Sequence, residues 1–270
     1  MCGIAGIFRP GRPFPVETLG KMGAAMAHRG PDAEGVVAWD GDGVRQNEGA
    51  AEMGLVHRRL SILDLSERGS QPMTLGTDQP WIVYNGECYN FRALRDELVA
   101  LGRVFESDCD TEVLLHGVEA WGLEGLLGRM NGMFAFALWS PRERTLHLVR
   151  DRMGQKPLYY AELDDGGLVF ASELKALLAS DVVDSHELDL TALDQFWAVG
   201  YVSDGRTAYK AVRQLGPEEV ATWSPGQSLT RKTWWQVPTG GADPDDARSL
   251  DAMADELEAL LADAVRPSLT

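Results

Sequence analysis

Short apolar runs alternate with polar, turn-forming stretches along most of this chain, and few of them hold a helical period. "MCGIAGIF" mixes small and apolar residues without a break and predicts a buried first strand. Leu19, Met22 and Met26 recur at helical intervals and predict a helix over 16–28. "GVVAWD" and the stretch 44–65 predict strands, and "PWIVYNGECYN" starts as a β-rich run that ends in turn formers. Asn90 is the expected N-cap of a helix over 91–102 that stops at Gly102, and Asp110 the expected cap of a helix over 111–122. "GMFAFALWSPRERTLHLVRD" and "PLYYAELDDGGLVFAS" each set a polar turn between two β-rich runs, the pattern of hairpins. "SELKALLAS" predicts a short helix with Ser172 as its cap. Residues 190–202 predict another helix, and a strand pair ends at "RKTWWQV". Many hairpins and few long helices predict mainly antiparallel sheets with helices packed outside, not a βαβ fold.

The pattern changes near the C-terminus. Residues 238–248 are rich in Gly, Pro and Asp and predict a linker. Met253, Leu257, Leu260, Leu261 and Ala264 then form one apolar stripe on a helix over 249–265. The expected organisation is one domain over 2–237, a linker over 238–248, and the start of a second unit over 249–270.

The formal charge of −16 makes nucleic acid a poor partner. No apolar run approaches the ~18 residues of a membrane span, and no basic-then-apolar leader opens the chain, so the cytoplasm is the expected compartment. Three scattered cysteines and five scattered histidines offer neither a disulfide framework nor metal-ligand spacing, so no metal is expected.

Candidate chemistry starts at Cys2. If Met1 is removed, one residue holds a thiol and a free α-amino group of closely matched pKa, a nucleophile and its base together. A small buried residue in a first strand explains the same position. Asn85 and Gly86 offer two oxyanion donors, a side-chain amide and a backbone N–H, although Asn-Gly also forms plain turns. "HRRLSI" offers an arginine for a bidentate carboxylate pair, or a solvated basic pair. "SDCD" offers an acid for an ammonium group, or an ordinary helix cap.

Several motifs in this order resemble a known family: "MCGIAGIF", "HRGPD" (28–32), "HRRLSILDLS" (57–66), "YNGECYN" (84–90) and "SDCDTEVLLH" (107–116). They resemble the class II glutamine amidotransferases, whose nucleophile is the N-terminal residue. "NGMFAFALW", "RDRMGQKPLYY" and "FASELKALL" are similar to the glutaminase domain of glutamine-hydrolysing asparagine synthetases. The resemblance implies an α+β fold, a four-layer αββα sandwich of two mainly antiparallel sheets. It implies L-glutamine as substrate, with Cys2 attacking the side-chain amide and its own amine as base. Asn85 and Gly86 would form the oxyanion hole, and Arg59 would hold the α-carboxylate. Glu87 and Asp108 would recognise the α-amino end, with backbone around Ile62 helping.

Full-length members carry an ATP- and magnesium-dependent synthetase domain with an "SGGxDS" loop. No "SGG" occurs here, so ligation is not expected of these residues, and no cofactor is expected in this chain. Expected partners are a synthetase or acceptor domain in cis or trans, or a second copy of the chain. Two alternatives stay open: the ammonia-supplying part of an amidotransferase acting on a natural product or surface sugar, and a non-catalytic binding module. Cys88 and "LGPEEVATW" (215–223) depart from the family pattern.

Overall fold

Period-two alternation sorts the strand residues between two kinds of core. In the strand Gly3–Phe8, Ile4 and Phe8 point one way and Ala5 and Ile7 the other, and all four are buried. The same holds in Trp81–Cys88, where Trp81 and Val83 face one core and Ile82 and Tyr84 another. A strand buried on both faces must lie inside a layered stack. The computed structural model, which describes residues 1–76, 78–240 and 248–266, has that stack.

A seven-stranded sheet runs in the order Arg213–Gln214, Tyr159–Glu162, Leu168–Ala171, Gly3–Phe8, Met53–Arg59, Ala33–Trp39, Arg45–Gln46. A six-stranded sheet runs Thr230–Thr233, Glu219–Trp223, Thr145–Arg150, Gly132–Ser140, Trp81–Cys88, Met73–Thr74. Neighbouring strands pair antiparallel in both sheets. Between the sheets lie Phe8, Trp39, Trp81, Trp139 and Trp223; the rings of Phe8 and Trp139 are 4.8 Å apart. Helices Glu17–Ala25 and Leu174–Leu178 cover the seven-stranded sheet, and Phe91–Ala100 and Asp110–Arg129 cover the other. The result is the expected α+β sandwich in the order αββα, with both predicted hairpins in place. Among the described residues, no helix is long and apolar enough to cross a membrane.

Local expectations differ at the caps. Asn90 precedes its helix, but its side chain does not cap it: Oδ1 accepts from Asn131 N at 2.8 Å and Nδ2 donates to Arg129 O at 2.9 Å. Ser172 likewise accepts from Ile4 N at 3.1 Å across the sheet edge, and Glu173 takes the cap position without a side-chain bond. Asp110 is the first helical residue, after Cys109, and the helix runs on past a kink at Gly122 to Arg129. In each case a tertiary partner outcompetes the local backbone for the same side chain. Asn85-Gly86 lies within a strand rather than a turn, and the strand expected through residue 65 ends at Arg59, where a loop begins.

Residues 241–247 of the expected linker lie outside the described residues, as do 267–270. The helix Leu250–Val265 forms with Ser249 as its cap, and none of its residues is buried. Leu257, Leu260, Leu261 and Val265 are each more than half exposed.

Candidate active site

The central strand of one sheet and the strand next to the edge of the other open onto one cavity. Cys2 stands just before Gly3–Phe8, and Asn85 and Gly86 lie on Trp81–Cys88, the strand that faces it across the sandwich. The cavity measures ≈ 230 Å³ and is lined by Cys2, Arg59, Ile62, Asn85, Gly86 and Glu87 among others. That is smaller than the ~300–1,000 Å³ of sites for drug-sized ligands, so it suits a small metabolite.

Cys2 is held by one residue from two sides. Leu60 N donates to Sγ at 3.4 Å, and Sγ lies 3.7 Å from Leu60 O, to which it donates. Burial pushes the thiol up from its usual range, and the Leu60 N–H opposes that. Arg29 Nε donates to Cys2 O at 2.8 Å, while its Nη1 pairs with Glu173 at 3.0 Å. The "HRGPD" turn thus clamps the backbone of Cys2. A Cβ at Gly30 would overlap the Arg58 carbonyl, which is why glycine stands there.

Asn85 is buried, and its Nδ2 has no hydrogen-bond partner. A buried amide donor left unpaired costs ~1–3 kcal/mol, so it marks a place where a ligand oxygen belongs. Gly86 lies against the neighbouring strand so closely that a Cβ would overlap Met133 O, so only glycine permits this register. His57 is fully buried behind the pair; its Nε2 donates to Tyr84 O at 3.2 Å. Burial pulls its pKa down to about 4, so it is neutral and anchors the strand that carries Asn85. Gln71 braces the same strand: Oε1 accepts from Tyr84 N at 2.6 Å and Nε2 donates to Thr111 Oγ1 at 3.1 Å.

Arg59 is buried with its guanidinium at the cavity. Nη1 donates to Ser66 O at 2.8 Å and Nη2 to Asp64 O. The loop after the strand therefore wraps the arginine and fixes the direction of its fork. Asp64 closes that loop by accepting from Ser66 N, Ser66 Oγ and Asp108 N, which holds its carboxyl below the usual range.

The acid expected at position 108 does not reach the cavity. The Asp108 side chain is 91% exposed and pairs with Arg95 at 3.3 Å. Asp110 lines the cavity instead. It is buried, and Oδ2 accepts from Cys88 N at 3.0 Å. Burial pushes its carboxyl up to about 6. The two-residue offset follows from the helix start: the first turn of Asp110–Arg129 packs against the Trp81–Cys88 strand, whereas Asp108 still lies in the outer loop.

Lys156 is a charged lining residue with no role assigned from the sequence, although "RDRMGQKPLYY" contains it. Its loop is knotted around Asp151, whose buried carboxylate accepts from Phe134, Met153, Gln155 and Lys156 N at 2.9–3.2 Å. Arg150 completes the knot by donating to the carbonyls of Lys156, Leu215 and Gly154. A buried Arg-Asp pair followed by a glycine turn was the available signal.

A glutamine amidotransferase domain profile matches residues 1–235. Asparagine synthetase (glutamine-hydrolyzing) 1 of Bacillus subtilis strain 168 is 35% identical over 242 residues, covering 88% of this chain and 36% of that protein. Asparagine synthetase (glutamine-hydrolyzing) 3 of the same strain is 35% identical over 243 residues, covering 88% of this chain and 37% of that protein. The chain thus spans little more than a third of the length of either relative. Among solved structures, the glutamine phosphoribosylpyrophosphate amidotransferase of B. subtilis, complexed with ADP and GMP, shares the fold. Its TM-score is 0.62 at 19% identity, over 87% of this chain and 50% of that one.

Proposed function

Since the chain belongs to the glutamine amidotransferase domain family, we propose that it hydrolyses the side-chain amide of L-glutamine with Cys2 as the nucleophile. The observation that carries this reading is the buried, unpartnered Nδ2 of Asn85, which shares one cavity with the Cys2 thiol. Once Met1 is removed, the α-amine of Cys2 takes the thiol proton, and Sγ bonds to the amide carbon. The carbonyl oxygen, now negative, is met by Asn85 Nδ2 and the Gly86 N–H, a contribution of ~2.7–4 kcal/mol per donor. The C–N bond then breaks, the amine returns its proton to the departing nitrogen, and ammonia leaves a glutamyl thioester. Water attacks that thioester to release glutamate and regenerate the thiol.

The substrate's two other ends have matching charges. Arg59, held by its loop, meets the α-carboxylate as a fork. Asp110 and Glu87 meet the α-ammonium, and the exposed Ile62 borders the carboxylate end. An arriving ammonium favours the ionised form of Asp110, so binding itself reverses the effect of burial on that carboxyl. Neither a metal nor a cofactor is needed for these steps. The ammonia is destined for an acceptor unit in cis or trans in the cytoplasm. By analogy with the synthetase relatives, that acceptor is a carboxylate activated by ATP and magnesium on residues other than these.

The test combines intact mass and turnover. Purified protein should have lost the mass of Met1 and should release one glutamate and one ammonia per glutamine. Protein that has lost Met1, is folded, and gives no glutamate overturns the reading.

A further inference from the structure

Lys156 carries an ammonium into a place where, among the described residues, no carboxylate pairs with it directly. The residue is 6% exposed, and among the described residues no carboxylate lies within ion-pair distance of Nζ. Its polar contact is with the sulfur of Met1, at 3.2 Å. A buried cation without a counter-ion is unfavourable and is retained only where the fold holds it. The Asp151 knot holds it, fixing both the Lys156 N–H and its carbonyl. The charge therefore stands on the wall of the cavity beside the first two residues of the chain.

The groups around the amino terminus come from four places. Cys2 contributes the thiol, Arg29 a guanidinium already paired with Glu173, the turn Asp32, and the knotted loop Lys156. Facing Lys156 itself are Arg29, Asp151, Glu87 and Cys2. Asp151 is saturated by four backbone N–H groups and Arg29 by Glu173 and Cys2 O, so both are compensated. Glu87 attracts Lys156 without forming an ion pair with it, so Lys156 is the cation of the set that lacks a direct partner.

We propose that Lys156 is a positioning residue for the base of the reaction: its charge keeps the α-amino group of Cys2 neutral, and so able to accept the thiol proton, at neutral pH. The inference rests on the glutaminase reading above. An ammonium beside a second ammonium is disfavoured, and the low-dielectric wall makes that repulsion larger than in water. With Met1 in place, the amine one residue earlier shows the same sense: burial first, then Arg29 and Lys156, lower it against the opposing Cys2 and Asp32 charges, and burial with Arg29 lowers Lys156 itself.

The experiment is the pH profile of kcat/KM for glutamine in Lys156→Met and Lys156→Arg. The acid limb reports the free enzyme's base. In Lys156→Met it should move up by on the order of 0.5–1 pH unit, a loss of about three- to tenfold at pH 6.5 that narrows towards pH 9. Lys156→Arg keeps the charge and should keep the wild-type limb. The rate of reductive methylation of the Cys2 α-amine, which needs the neutral amine, followed against pH, gives the same comparison without turnover. A loss equal at every pH, shared by both variants, would mean a merely structural lysine and overturns the proposal. So does a limb that stays in place in Lys156→Met. If wild-type protein lacking Met1 shows no glutaminase activity, the functional reading fails first, and the methylation profile of the α-amine still decides the charge effect.

Discussion

Three cysteines with one chemistry separate cleanly by surroundings. Cys2 is partly exposed at the cavity, whereas Cys88 and Cys109 are buried. Burial and the nearby Asp110 carboxylate push the Cys88 thiol up to about 12, which removes it as a nucleophile. Cys2→Ala should therefore abolish glutamine hydrolysis, while Cys88→Ala and Cys109→Ala keep it. Peptide mapping after labelling with a glutamine-like chloroketone checks this, and label on Cys88 with Cys2 free would contradict it. Asp110 gives a second prediction, with a definite sign. Its folded pKa is raised, so its favourable contribution is complete below about pH 4 and is lost as pH rises through about 6. Asp110→Asn removes the ionisation and keeps an acceptor for Cys88 N. Without glutamine, its stability relative to wild type should rise between pH 4 and pH 7, by on the order of 3 kcal/mol at most. Urea titrations at the two pH values measure the difference, and the same variant should raise the KM for glutamine. Position 110 also shows what a motif hides. "SDCD" holds two acids on either side of a helix start, and only the packing of that start against a strand tells which one turns inward.

At the scale of elements, period and hairpin signals carried most of the layout. Strands with β-rich runs on both sides of a polar turn paired as expected, because a hairpin is a local object with short-range rules. Caps were the weak point. Asn90, Asp110 and Ser172 have the right residue types at or within one residue of the cap, yet each spends its side chain on a neighbour distant in sequence. A local rule cannot see that competition. The terminal helix Leu250–Val265 shows the opposite case, since its stripe is legible and Ser249 caps it, but nothing among the described residues covers it. Four apolar side chains left more than half exposed forgo much of the ~1.5–3 kcal/mol each would gain on burial. Removing residues 240–270 should shift the melting temperature by no more than about 2–4 °C, the scale of ~1 kcal/mol in a domain of this size. Glutaminase activity should persist. Calorimetry and a glutamate assay on the shortened chain check both, and unfolding on deletion would place this helix in the domain's own core.

For the molecule as a whole, the reacting groups sit at one edge of a wedge. Cys2 leads into a strand of one sheet that ends at Phe8, and Asn85 rides a strand of the other whose neighbour holds Trp139. Phe8 and Trp139 meet as tilted rings towards the far end of these strands, with Trp139 four residues along its own strand from Ala135, the partner of Asn85. At ~3.4 Å per residue that is on the order of 13 Å from the chemistry. The two sheets then behave as the jaws of a caliper, and the indole between them is the shim that sets the gap. Filling between the sheets thus acts with the Leu60, Arg29, His57 and Gln71 hydrogen bonds in setting the distance from the Cys2 sulfur to Asn85. Trp139→Phe thins the shim, and a misplacement of ~1 Å at the reacting atoms can cost ~100-fold in rate. The expected outcome is a kcat that falls further than the loss of stability alone explains, with KM for glutamine little changed. Steady-state kinetics beside a thermal melt would decide it, and an unaltered kcat in a less stable protein would show that the jaws are held apart elsewhere.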